Sequence, residues 1–137
     1  MDDCIFCKIA RGEIPCHKVY EDNDILAFLD TNPVTRGHCL VITKEHFQNL
    51  LYVPKDLLGK AMAAAQKIAQ AEVASLGAKG VNILINTNEV AGQTVMHFHI
   101  HVIPRYDSKD SLKIDFIPRQ ISELNLPAVA SLIKKDL

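Results

Sequence analysis

What this 137-residue chain lacks narrows its function before any motif is considered. It has no surplus of charge: 15 Lys and Arg against 16 Asp and Glu leave a net −1 at pH 7. That gives no general attraction for nucleic acid or an anionic membrane, so any polyanion must be held at a local site. It has no apolar run near the roughly 20 residues a membrane helix needs. Its first ten residues, MDDCIFCKIA, are acidic where a signal peptide is basic and then apolar. The expected location is therefore the cytoplasm. The four cysteines there (Cys4, Cys7, Cys16 and Cys39) are expected to stay reduced. No internal repeat, low-complexity tract or linker divides the chain. With 48% hydrophobic residues, it is long enough for one domain with its own core.

Short elements come first. CIFCKIARGE predicts one or two helical turns, stopped around Gly12 and Pro15. HKVYE and ILAFLD, joined by DND, predict a β-hairpin, and HCLVIT predicts a third strand. The clearest helix runs from about Pro54 to Leu76. Leu57, Leu58, Ala61, Met62, Ala65, Ile68, Ala69, Val73 and Leu76 recur at helical steps, with Gly77 as the stop. VNILINT and HFHIHVIP then predict two more strands, and a short helix is expected from Pro127. This order predicts an α+β domain around an antiparallel sheet.

Three of the six histidines fall at positions 97, 99 and 101. On a strand, alternate residues share a face. His97, His99 and His101 would then face a groove or solvent, with Phe98, Ile100 and Val102 turned to the core. Two chemical readings follow. An H-x-H pair can supply ligands to a catalytic zinc. Alternatively, neutral imidazoles can themselves attack phosphorus and position phosphate oxygens. The preceding NTNEVAGQT favours the second. It brings Asn86, Gly92, Gln93 and Thr94, amide and hydroxyl groups suited to phosphate, and only one nearby carboxylate, Glu89.

With these residues the sequence resembles the histidine triad (HIT) family, in particular the Hint-like short bacterial nucleotide hydrolases. HFHIHVI matches the family motif without a gap. IFCKIARGEIP, VYEDNDILAFLDTNPVTRGHCLVITKEH and NTNEVAGQTVMHFHIHVIPRY extend the likeness over about residues 3–106. The resemblance implies a single HIT domain spanning 1–137, with a core of about 3–106 and a C-terminal extension of 107–137. It implies a HIT-like antiparallel sheet with one long helix and short terminal helices. It also implies hydrolysis at the α-phosphate of nucleoside 5′-phosphoramidates or dinucleoside polyphosphates, through a covalent nucleotidyl intermediate on His99. His101 and Gln93 would hold phosphate oxygens, Thr94 would stand near the phosphate or leaving group, and Asn86 near the phosphate. Asp30 would take the ribose hydroxyls, and Phe6, Ile9, Phe28, Leu29 and Thr31 would line the base and sugar pocket. An AMP-type purine nucleotide as substrate and a homodimer are implied as well. A nucleotide-responsive regulatory protein and a zinc-dependent hydrolase are the competing readings.

Cys4 and Cys7 stand at a spacing that lets both thiolates reach one ion. The same spacing also suits a redox pair or two buried thiols. The resemblance implies a structural Zn2+ held by Cys4, Cys7, His46 and His97. His38 and His17 are left without assigned chemistry, and Cys16 and Cys39 are expected to pack as small hydrophobes.

Overall fold

The computed structural model describes residues 3–137. Five strands form one antiparallel sheet in the order β1-β2-β3-β5-β4. They are β1 (Lys18–Glu21), β2 (Ile25–Leu29), β3 (Cys39–Thr43), β4 (Gly80–Leu84) and β5 (His99–Arg105). Three helices accompany them: α1 (Ile5–Ala10), α2 (Lys55–Leu76) and α3 (Leu126–Lys135). This matches the expected α+β arrangement of an antiparallel sheet with one long and two short helices.

The alternation of each strand sorts its side chains onto two faces. Ile25, Ala27, Cys39, Val41, Ile100 and Val102 point to one side, where Phe98 joins them and α2 lays Ala61, Ala64, Ala65 and Ile68 against them. Small residues at these helix positions bring the helix axis close to the sheet. The same strands send Leu26, Phe28, Leu40 and Ile42 to the other side, where Phe6 and Ile9 of α1 cover them. His99 pairs with Ile42 and His101 with Leu40 in the ladder, so both imidazoles lie on the α1 side.

Helix α2 ends at Gly77, which adopts the left-handed conformation (φ +72°) that favours glycine. Its buried face differs in detail from the apolar stripe. Met62 and Val73 are exposed at 40% and 51%, while Ala64 and Glu72 are buried. Ala61, Ala64, Ala65 and Ile68 make the contact with the sheet, and the margin of the stripe stays in solvent. A second difference concerns the triad: β5 begins at His99. His97 precedes the strand and is fully buried, because the chain before β5 is drawn inward where Phe98 N–H donates to Phe47 O (2.7 Å). The three histidines therefore do not share one open face. Among the described residues no helix is long and apolar enough to cross a membrane.

Candidate functional site

Two clusters of polar side chains are built around the start of β5. The first gathers Cys4, Cys7, His46 and His97, whose ligand atoms all lie within 4.8 Å of one another. Cys4 caps α1, its Sγ accepting the Cys7 N–H (3.4 Å), so the CxxC spacing turns both sulfurs the same way. His97 Nε2–H donates to the Thr43 carbonyl (2.7 Å). That bond fixes the tautomer and leaves the Nδ1 lone pair facing Cys4 Sγ (3.3 Å), Cys7 Sγ (3.5 Å) and His46 Nδ1 (3.1 Å). Cys7 Sγ is 3.4 Å from His46 Nδ1. A tetrahedral zinc with two sulfur and two nitrogen ligands sets its ligand atoms about 3.3–3.8 Å apart. The cluster comes close to this spacing, and the Thr43 carbonyl is the outer partner that a metal-bound histidine needs. Burial pushes the Cys7 thiol up, and the neighbouring Cys4 adds to the push; a divalent cation would reverse both. Burial also lowers His97 to about 4, so its Nδ1 carries no proton at neutral pH.

The second cluster is a chain of imidazoles with a proton at each junction. Val34 N–H donates to His38 Nδ1 (3.1 Å), which places the proton of the neutral ring on Nε2. That proton points to His101 Nδ1, 2.9 Å away. His101 must then carry its own proton on Nε2, turned towards the cavity it lines. His99 donates Nδ1–H to the His97 carbonyl (2.7 Å), which leaves Nε2 unprotonated. Burial is the main force holding all three rings neutral. His101 is lowered to about 4, with help from His99 and His38, while His38 and His99 are lowered by burial against the pull of Asp30. Asp30, His38 and His101 also converge closely enough to suggest a metal. The Val34 bond argues against one. A cation there would have to displace the Nε2 proton of His38 while Nδ1 stays committed as an acceptor.

These imidazoles close one end of a cavity of about 470 Å³, a usual size for a small-molecule site. Phe6, Ile9, Phe28, Leu29, Asp30, Thr31, Thr94, His99 and His101, all expected at a substrate site, line it together. Ile14, Leu40 and Val95 line it too, residues the sequence did not single out, as does Cys16, which was expected only to pack as a small hydrophobe. Phe6 stands edge-on to His99, His97 and Phe28, with ring centroids at 5.1, 5.8 and 5.8 Å. Asp30 waits at the mouth, with Oδ1 accepting the Asn32 N–H (2.8 Å).

Gln93 and Asn86 are not among the lining residues. The Gln93 amide is buried and fully used: Oε1 accepts Asn88 N–H, and Nε2 donates to the carbonyls of Gln48 and Val95. It closes the loop that presents Thr94. Asn86 Nδ2 donates to the Gly92 carbonyl (3.4 Å), and Gly92 turns the loop at φ +102°, a conformation that favours glycine. His38 enters the site although the sequence gave it no chemistry. Its only signal was its place one residue before β3, opposite the histidine strand. His17 is exposed and apart from both clusters.

Known proteins agree with this architecture. The HIT-domain family model matches residues 11–108. Protein hit of Bacillus subtilis is 48% identical over 80% of this chain and 75% of its own length. Adenylylsulfatase HINT3 of Arabidopsis thaliana is 44% identical over 76% of this chain and 53% of its own length. The crystal structure of a HIT family protein from Bacillus anthracis superposes with a TM-score of 0.93 at 43% identity, covering 99% of this chain and 98% of that one. A zinc-bound histidine triad protein from Mycobacterium smegmatis superposes with a TM-score of 0.78 at 36% identity, covering 99% of each chain. The sheet, the histidine strand and these matches agree: the chain belongs to the HIT family.

Proposed function

We propose that this protein is a nucleotide-binding hydrolase acting at the α-phosphate of nucleoside 5′-phosphoramidates or dinucleoside polyphosphates. The observation that carries the reading is the tautomer of His99. Its Nδ1–H is held by the His97 carbonyl, so the Nε2 lone pair is free beside His101 and Thr94. In this reading Nε2 attacks phosphorus, a P–N(His) bond forms, and the leaving group departs with the electrons of the broken bond. Water then attacks phosphorus and displaces Nε2, regenerating the enzyme. The His97 carbonyl stabilises the charge that develops on the ring, much as a buried acceptor orients a catalytic imidazole. His101 Nε2–H donates to a phosphate oxygen, and the Thr94 hydroxyl assists at the phosphate or leaving group. Gln93 and Asn86 act by holding the loop that carries Thr94. Asp30 accepts from the ribose hydroxyls, and Phe6, Ile9, Phe28, Leu29 and Thr31 take the base and sugar of an AMP-type purine nucleotide.

Cys4, Cys7, His46 and His97 would hold a structural Zn2+. All four positions are protein ligands, which is the closed set of a structural rather than a catalytic zinc. The metal fixes His97, and through its carbonyl the orientation of His99. The working unit is a homodimer formed by α2 and the edge strand β4, where Ile83 is exposed, and residues 1–137 form one HIT domain.

The test is turnover of adenosine 5′-phosphoramidate by His99→Ala. The rate should fall by at least about 10³-fold while AMP affinity changes little. Turnover that survives the substitution would overturn the reading.

A further inference from the structure

A second cavity of about 470 Å³ lies on the opposite face of the sheet, beside the C-terminal half of α2. Its walls are apolar: Val19, Leu29, Ile68, Ala71 and Leu76. Inside it sits Glu72, which is 95% buried by residue (5% exposed). Glu72 Oε2 accepts the Cys39 thiol (3.7 Å), but Oε1 is buried with no hydrogen-bond partner among the described residues. A buried acceptor left unpaired costs on the order of 1–3 kcal/mol, so a donor is expected in the functional assembly. Arg36 and Lys67 stand at the rim.

The C-terminal arm has the complementary problem. Every residue from 113 to 137 is exposed, with Phe116 and Ile117 at 87% and 88%. Apolar exposure of this density marks a surface that is covered in use. Among the described residues the backbone N–H groups of 113–117 make no hydrogen bond. The root of the arm is nevertheless clamped. Arg105 Nε donates to Asp110 (2.9 Å), Arg105 Nη2 donates to the Leu112 carbonyl (3.1 Å), and Tyr106 Oη donates to the Arg36 carbonyl at the rim of the groove (2.6 Å). The arm thus leaves in a set direction, and among the described residues its last hydrogen bond to the rest of the chain is that of Lys113 Nζ to the Ser108 carbonyl (3.1 Å). The solved relative from Bacillus anthracis follows this chain along the arm. A superposition that missed residues 113–137 would cover 112 of 137 residues and could not exceed a TM-score of about 0.82, yet the value is 0.93. An arm exposed along its whole length that keeps its course in a relative has something outside the chain to hold it.

We infer that the arm of a second copy of this chain fills the groove over Glu72, and that two copies exchange arms. Phe116 and Ile117 enter between Ala71 and Leu76, an unpaired backbone N–H of 113–117 reaches Glu72 Oε1, and Asp115 lies near Arg36 and Lys67. Both unmet needs, the orphaned carboxyl oxygen and the bare apolar arm, are answered by one contact. An exchange of identical elements is also a closed two-fold arrangement that stops at the dimer. This contact is distinct from the edge-strand pairing and independent of the nucleotide chemistry.

The test is amide hydrogen exchange on the full chain at two protein concentrations about a hundredfold apart, straddling its dissociation. Protection of 113–118 and of α2 residues 67–76 should rise together with concentration. Protection that is the same at both concentrations would overturn the exchange, as would a rise in one segment without the other. Sedimentation of two full-length variants supplies the second arm. Ala71→Arg obstructs the groove and Phe116→Asp spoils the arm; both positions are exposed, so folding is not at stake. Each should weaken self-association at least tenfold. A mixture of the two should associate more tightly than either alone, because one intact arm then meets one intact groove. Unchanged self-association, or a mixture no better than its parts, sinks the proposal.

Discussion

The two histidine clusters around β5 are made of the same side chain and differ in where the protons sit. Around His97 the lone pairs converge. Its Nδ1 faces two sulfurs and the Nδ1 of His46, with the ring proton drawn off to the Thr43 carbonyl. Around His101 the protons are handed in order, from Val34 N–H to His38 and from His38 to His101. A convergence of lone pairs calls for a cation, while an ordered row of donors ends in a donor aimed at an anion. The backbone makes the distinction. A carbonyl beside His97 draws its Nε2 proton away and leaves Nδ1 bare towards the sulfurs, whereas an N–H beside His38 occupies Nδ1 and aims the Nε2 proton at His101. Helix α1 joins the clusters, since it carries Cys7 on one side and Phe6 and Ile9 into the nucleotide cavity.

The largest expected effect comes from removing the cation the first cluster calls for. A strong chelator, or Cys7→Ser, should lower the unfolding midpoint by about 10 °C or more, because metal binding energy is folding energy when the ligands come from distant segments. Elemental analysis should find one zinc per chain before treatment. Before unfolding sets in, the Michaelis constant for the nucleotide should rise more than the turnover number falls, since α1 loosens and Phe6 with it. If turnover collapses while the midpoint stays put, the comparison is wrong and the metal is part of the chemistry.

Much of the fold was legible because the alternation of strands and the period of α2 are local properties. β1, β2, β3 and the limits of α2 come within a residue or two of the pattern. The stop at Gly77 and the start of α3 near Pro127 follow from the special backbone of those residues. What escaped depends on partners distant in sequence. Glu72 reads as a polar position of a surface helix, yet the packing of α2 over Cys39 buries it. His97 reads as the first tooth of an alternating strand, but the hydrogen bond from the neighbouring Phe98 N–H to the distant Phe47 carbonyl pulls that part of the chain off the strand and inward. Gln93, which the resemblance implies as a phosphate ligand, has its amide taken by the Gln48 and Val95 carbonyls. The pattern tells which residue types stand near the site; the proton count of each needs the fold.

Acid titration should have an intermediate effect, because His101 and Glu72 on opposite faces of the sheet respond to protons with opposite sign. His101 has its value lowered from 6.5 to about 4, so the unfolded chain binds the proton first as pH falls. Its contribution is fully present above 6.5 and is lost between there and about 4, on the order of 3 kcal/mol. Glu72 works in the other direction. Its carboxyl is raised from 4.5 to about 7 by burial, against the thiol bond from Cys39, so the folded chain holds the extra proton. That contribution is present below 4.5 and is lost as pH rises through 7. Tyr20, Arg36 and Lys67, which line the groove with Cys39, and the nearby Tyr106 are the other titratable groups around Glu72. The two slopes oppose each other in the intact protein. Glu72→Gln should therefore steepen the loss of stability on acidification between pH 6.5 and 4.5, measured by denaturant unfolding at each pH. A slope that flattens would mean that Glu72 is ionised in the folded chain at neutral pH.

The smallest expected effect falls on the rate and tests whether the second cluster is a row of oriented donors. His38 does not donate to the substrate in this reading; it is a positioning residue that holds His101 with Nε2–H towards the cavity. His38→Ala should lower the turnover number about tenfold to thirtyfold, a loss of about 1.4–2 kcal/mol, with little change in the unfolding midpoint or the zinc content. His38→Gln keeps a side-chain N–H that can reach His101 Nδ1, so it should recover part of the rate. A purely structural role would give the opposite division: Gln and Ala would be equally poor, and the midpoint would fall with the rate. Partial rescue without a change in zinc content would show the two clusters to be separable, although His97 and His99 are bridged by a single carbonyl.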